Sequence, residues 1–241
     1  MLGVAATAGG AIAPTRLLRL GGADAALAAA TTLTLTPEQE EGPFYVALEK
    51  LRKNITLGKP GVPLHLTIKV VDTAGKPVKH AACDIWQCDA GGVYSDESSE
   101  GTVGQTYLRG VQLTDAYGLA KFVTIYPGHY QGRTTHIHVK VRIGGTTAAG
   151  AYRGGHVSHT GQILFDDAIT TQVYALSPYN KETVARTLNT QDSVYENQGG
   201  SKSKLTLTKL GAGAADGYAG AIRLVVNPKA TPAAVGVGGG P

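Results

Sequence analysis

Cysteine is nearly absent from this 241-residue chain, which has Cys83 and Cys88 and no others. Two thiols exclude both a disulfide framework and a thiolate metal cage, which takes about four ligands. On one extended strand their spacing would put them on opposite faces, so they are expected to be unpaired. Charge is sparse too: Asp, Glu, Lys and Arg make up 17% of the residues, and the net charge is +4. The 22 basic residues form no dense run, so neither nucleic acid nor an acidic membrane surface is indicated as a partner. No stretch of about eighteen apolar residues exists, and the mature chain is not expected to span a bilayer. Helical periodicity is scarce, and neither an internal repeat nor a phosphate-cradling glycine loop follows any strand pattern, which sets aside bundles and coiled coils.

Hydrophobic residues at 42% rule out a disordered chain, and Gly 33 with Pro 11 points to many short elements joined by tight turns. Leu64, Leu66, Ile68 and Val70 alternate with His65, Thr67 and Lys69, the pattern of a half-buried strand. Asp72-Thr73-Ala74-Gly75 then supplies a turn, and similar punctuation at Asp89-Ala90-Gly91-Gly92, Asp115-Ala116-Tyr117-Gly118, Pro127-Gly128 and Gly144-Gly145 spaces further short strands. That cadence predicts an all-β fold, an antiparallel β-sandwich with short helices and loops and disordered termini. Helical spacing is limited to 37–53, where Thr34 or Thr36 could act as a cap, and to 180–188.

Residues 1–30 are rich in Ala, Gly and Leu, interrupted by Arg16 and Arg19. They read either as an export signal that begins upstream, with small residues at Ala28-Ala29-Ala30 for cleavage, or as a disordered extension. A secreted or cell-envelope location is the corresponding expectation. The folded domain is assigned to 31–227, and the Ala-, Gly- and Pro-rich stretch 228–241 is expected to be a flexible tail.

The sharpest chemical signal is His136-Ile137-His138-Val139-Lys140-Val141. On a strand the two histidines share one face, with Ile137, Val139 and Val141 on the other, and two imidazoles so placed reach a single metal ion. Exposed or structural histidines are the alternative, and a metal needs further ligands from Asp, Glu, Tyr or other His near glycine-rich turns. Tyr94 follows a strand pattern and the turn at 89–92, and Tyr130 closes Tyr126-Pro127-Gly128-His129-Tyr130, six residues ahead of His136.

These segments resemble the intradiol ring-cleavage dioxygenases, the family that contains catechol 1,2-dioxygenases and protocatechuate 3,4-dioxygenases. Asp84-Ile85, six residues and Gly92-Val93-Tyr94 are similar to the end of the family signature, whose tyrosine binds non-haem ferric iron. The run from Tyr126 to Tyr130, followed by Arg133-Thr134-Thr135-His136-Ile137-His138, resembles the segment with the second tyrosine, a catalytic arginine and both histidine ligands. Glu41-Gly42-Pro43-Phe44-Tyr45 resembles the segment whose proline lines the substrate pocket, and Gly161-Gln162-Ile163 the strand whose glutamine supports the arginine. The resemblance runs from about 37 to 167, with a weaker continuation to 226.

The resemblance implies an Fe(3+) enzyme with metal ligands Tyr94, Tyr130, His136 and His138. Tyr130 would double as a base, Arg133 would stabilise charge with Gln162 holding it, and Pro43 would line the substrate pocket. The partners implied are a small catechol and O2, which would yield a cis,cis-muconate-type diacid; catechol, hydroxyquinol and protocatechuate are all open, as is a monomer or a homo-oligomer. The short link from Tyr130 to His136 implies a trimmed loop beside the pocket, and the stretch ahead of Glu41 is too short for the helical dimerisation segment of the catechol 1,2-dioxygenases. Two rival readings from other classes are a non-catalytic sandwich used for binding and a zinc hydrolase using the histidine pair with a carboxylate. Of the other candidates, His156 and His159 read as loop histidines, His65 and His80 as strand faces, and His129 as a neighbour of the pocket. Trp86 reads as core under the metal-bearing strand, and Asp166 and Asp167 as structural.

Overall fold

The alternation that begins at Leu64 forms β1, Pro63–Val71, with Leu64, Leu66, Ile68 and Val70 buried and His65 and Lys69 exposed. The computed structural model describes residues 32–236, so the export-signal expectation for 1–30 and the last five residues of the tail lie outside it. In chain order follow β2 (Ala82–Trp86), β3 (Arg109–Leu113), β4 (Leu119–Ile125), β5 (His136–Ile143), β6 (Thr146–Ala148), β7 (Ala151–Arg153) and β8 (His156–Leu164). After these come α1 (Asp167–Tyr174), α2 (Ser193–Asn197), β9 (Thr206–Lys209) and β10 (Tyr218–Val225). One sheet has the order β4-β1-β10-β9 and a second the order β3-β2-β5-β8, with β6 and β7 forming a small ribbon. The pairs are antiparallel except β1 with β10, which run parallel.

The core joins the two sheets. Leu64, Leu66, Ile68, Phe122 and Leu224 from the first meet Cys83, Ile85, Ile137, Val139, Val141 and Ile163 from the second. Cys83 and Cys88 are buried and unpaired, as expected. Because side chains alternate along a strand, the other face of the second sheet carries Asp84 and Trp86 of β2, His136, His138 and Lys140 of β5, and Gln162 of β8. These polar residues are buried as well.

The cover over that face comes from a stretch expected to be helical. Residues 37–53 contain no helix: Gly42 has φ +71° and Glu49 φ +48°, and Pro43 lies between them. The backbone instead bonds across to strands, Gln39 N–H to the Thr160 carbonyl, Arg52 N–H to the Val111 carbonyl and the Lys53 carbonyl from Val123 N–H. The hydroxyl of Thr36 accepts from Val225 N–H rather than capping a helix. The second expected helix is also corrected: Tyr179–Lys181 form one tight 3-10 turn and the chain then runs irregularly. The helices that do form start at Asp166, which accepts from Ala168 N–H, and at Asp192, which accepts from Val194 and Tyr195 N–H. Side-chain capping fixes those starts where apolar spacing does not reveal them.

Two histidine assignments change. His156 and His159 sit on β8 rather than in a loop, and the buried His159 bonds Glu38 at 2.7 Å. His80 occupies a turn with φ +57° instead of a strand face. At the end of the expected domain the Asn227 carbonyl accepts from the Ser158 hydroxyl and from the N–H of Ala230 in the expected tail, which is described through residue 236.

Phe122 is 1% exposed at the centre of the inter-sheet core. Phe122→Ala is expected to cost about 3–5 kcal/mol of unfolding free energy. The exposed neighbour Lys121→Ala should stay within about 0.5 kcal/mol. Urea denaturation of the two variants checks both values.

Candidate active site

Strand β5 sets the site. The register pairs His138 with Trp86 of β2 on one side and with Gln162 of β8 on the other. Trp86 stacks flat on the His138 ring, with centroids 4.8 Å apart and 2° between planes. His136 lies on the same face, and its Nε2 is 3.1 Å from His138 Nε2. The Nδ1 of His136 is 2.6 Å from the Thr134 carbonyl. A carbonyl only accepts, so that nitrogen carries the proton and Nε2 faces the cluster with a free lone pair. Both imidazoles are held neutral by burial, helped by the nearby Arg133 charge; the pKa of His136 falls to about 3 and that of His138 well below its usual value.

Two phenols complete the group. Tyr130 Oη is 3.2 Å from His136 Nε2. Tyr94, 2% exposed, has its ring centroid 5.7 Å from that of Tyr130 and 6.2 Å from that of His138, and its hydroxyl has no hydrogen-bond partner. Burial raises the Tyr130 phenol to about 12 and the Tyr94 phenol well above its ordinary value. The two tyrosine segments touch backbone to backbone. Gly92, at φ +81°, sits so close that an added Cβ would lie 2.2 Å from the His129 carbonyl oxygen. Two phenols and two imidazoles converging in this way could hold one metal ion. Among the described residues no cluster of three or more His, Cys, Asp or Glu side chains offers an alternative.

Arg133 stands beside this group. Its Nη2 donates to Gln162 Oε1 at 2.5 Å and its Nε to Asp192 Oδ2 at 2.8 Å, while Glu40 Oε1 lies 3.7 Å from Nη1. Gln162 is itself oriented, donating from Nε2 to the Glu40 carbonyl and from its backbone N–H to Gln39 Oε1. Sequence reading found Arg133 and Gln162 but missed Asp192, which lies far along the chain and carries only a helix-cap signal. Pro43 is exposed, and its neighbours make the contacts: Gly42 packs on His138, and the Phe44 ring stacks on Tyr94 at 4.3 Å and meets Tyr130 edge-on at 5.5 Å. His129 turns away from the donors, its Nε2 3.0 Å from the Val184 carbonyl and its ring stacked on Tyr174. Asp166 and Asp167 are structural as expected, the first capping α1 and the second pairing with Arg186.

Residues 40–192 match the family model described as Dioxygenase, more than half of the chain. The intradiol ring-cleavage dioxygenase from Tetranychus urticae has 33% sequence identity and a TM-score of 0.72, with 83% of this chain and 97% of that chain covered. The chain belongs to the intradiol ring-cleavage dioxygenases. Among curated intradiol dioxygenases, the protocatechuate 3,4-dioxygenase beta chain of Burkholderia cepacia is 34% identical over 100 residues, 36% of this chain and 43% of that protein. The hydroxyquinol 1,2-dioxygenase of Rhodococcus opacus is 38% identical over 93 residues, 37% of this chain and 30% of that protein. The chain thus spans less than half the length of these two curated dioxygenases.

Behind the Trp86–His138 stack lies Asp84, 5% exposed, which accepts from the Tyr45 hydroxyl at 3.1 Å. Burial raises its pKa from 3.8 to about 7, against the pull of that hydrogen bond and of Lys140 and Arg109. Between those values the folded protein keeps a proton that the unfolded chain releases, so stability falls as pH rises through the window. Asp84→Asn is expected to flatten the decline, measured as the urea midpoint against pH; an unchanged slope would assign it to other groups.

Proposed function

We propose that this protein opens a catechol ring between its two hydroxyl-bearing carbons, adding both atoms of O2 to give a cis,cis-muconate-type diacid. The site for it is a non-haem Fe(3+) centre held by Tyr94, Tyr130, His136 and His138. The observation that carries this reading is the convergence of two neutral imidazoles and two phenols, one of them buried without a hydrogen-bond partner. Hard phenolate oxygens favour a ferric ion, whereas two histidines and one carboxylate would suit a ferrous oxygenase. Bound there, the ion would supply the Lewis acidity that keeps the phenols as phenolates and favours the deprotonated form of a catechol.

The chain's own groups do the rest. The Thr134 carbonyl fixes the tautomer of His136, and Trp86 fixes the ring plane of His138. Tyr94 is sealed beneath Phe44, while Tyr130 is the more exposed phenol and is placed to accept a proton from a catechol hydroxyl. Arg133, tethered by Gln162 and Asp192, presents a permanent charge where the ring becomes negative, and its tethers remove the need to reorganise during reaction. Pro43, between Gly42 and Phe44, is assigned to the pocket wall. The zinc hydrolase alternative needs a carboxylate beside the histidine pair, which the described residues do not supply.

The test is O2 uptake by iron-loaded protein with catechol, hydroxyquinol and protocatechuate, coupled to product identification. A ring-opened diacid is expected from at least one of them, and no uptake with any would overturn the proposal. Tyr94→Phe should weaken both iron binding and the visible tyrosinate absorption; full iron with no colour in the parent protein would remove the tyrosines as ligands. Arg133→Ala should keep iron and colour and lose about 10²- to 10³-fold in kcat.

A further inference from the structure

Arg109, the first residue of β3, is 3% exposed and takes no part in the chemistry described so far. Its three hydrogen bonds go to neutral oxygens on two segments distant in sequence. Nε donates to Ser95 Oγ at 2.9 Å, Nη2 to the Ser95 carbonyl at 2.6 Å and Nη1 to the Phe44 carbonyl at 2.6 Å. Ser95 follows Tyr94 directly, and Phe44 is the residue stacked on the Tyr94 ring. The guanidinium carbon itself lies 5.9 Å from the Tyr94 ring centroid. A buried cation is costly unless the groups around it repay its desolvation; the carboxylates of Glu97, Asp96 and Asp84 favour the charge, yet all three hydrogen bonds go to neutral oxygens, which gives the bonds a positional task. The planar fork suits that task, because its donors leave in fixed directions and a lysine would offer a single rotating point charge.

We propose that Arg109 is a positioning residue that locks the Tyr94 loop and the Phe44 segment into one unit, fixing the Tyr94 phenol toward the metal position. This rests on the assignment of Tyr94 as a ligand made above. Loss of the fork lets Tyr94 and its cover move independently, and the phenol then meets the ion in more than one orientation. Supporting groups of this kind typically change metal affinity or activity by about 10- to 100-fold.

The experiment compares the wild-type protein with Arg109→Met, Arg109→Lys and Ser95→Ala, each loaded with ferric iron and followed by visible absorption, iron content under a competing chelator, and thermal unfolding. Arg109→Met is expected to displace or broaden the tyrosinate band and to lower apparent iron affinity about 10- to 100-fold. Arg109→Lys should recover only a part of both, and Ser95→Ala, the milder change, should shift the band in the same direction. Should Arg109→Met fail to fold, Ser95→Ala decides the matter by the same readouts. A wild-type band that persists unaltered in the folded variants, with only the unfolding temperature lowered, overturns the positioning role and leaves the metal site intact. A wild-type protein that takes up iron without any tyrosinate band overturns the ligand assignment, and Arg109's role with it.

Discussion

The register of β5 between β2 and β8 is the constraint on which the site depends. It sets Trp86, His138 and Gln162 in one row across the sheet, so a stacking partner, an imidazole and the holder of Arg133 are fixed by one pattern of backbone hydrogen bonds. A slip of one residue would carry His136 and His138 to the core face and Ile137, Val139 and Val141 to the other. The apolar face therefore protects the polar one: the cost of taking three β-branched side chains out of the core and putting two imidazoles into it holds the histidines in place.

The second constraint is close approach of backbone between loops. The phenols come from segments with no ladder between them, and their separation is set where Gly92 and Gly128 meet the chain opposite. An added Cβ at Gly128 would lie 2.4 Å from the Asp89 carbonyl oxygen, and Gly128 N–H donates to that oxygen at 3.0 Å. Asp89 in turn ties its own turn through Gly91 and Val93 N–H. One carbonyl thus links the loop leading to Tyr94 with the one leading to Tyr130.

The strands and the histidine pair were legible because their signals are local. Alternation at Leu64–Val70 reports which face is wet and which is dry, and that at His136–Val141 separates an apolar face from a polar one, both of them buried. The stretch 37–53 was misread for the converse reason. Its apolar spacing suits a helix, but its backbone partners are strand positions such as Val111 and Val123, which no local pattern reveals. The same limit hid Asp192 and Arg109, whose partners lie 59 and 65 residues away in sequence. Tyr94, Tyr130, Arg133 and Gln162 became visible through resemblance to a family, since one tyrosine among 11 carries no distinguishing mark of its own.

Asp192 shows how a late segment becomes part of an early site. One of its oxygens accepts from Arg133 Nε and Thr134 N–H, and the other accepts from Val194 and Tyr195 N–H at the start of α2. Its carboxylate is fully buried, so removing its negative charge would leave the guanidinium beside the phenols poorly balanced as well as freeing the helix start. The neighbouring charge holds Asp192 ionised, with its pKa below the usual carboxylate value despite a burial that alone would raise it. Helix start, guanidinium and the strand that bears His136 are consequently one electrostatic unit. A change at the distant end of that unit reaches the site through Arg133, without altering any of the four groups assigned to the metal.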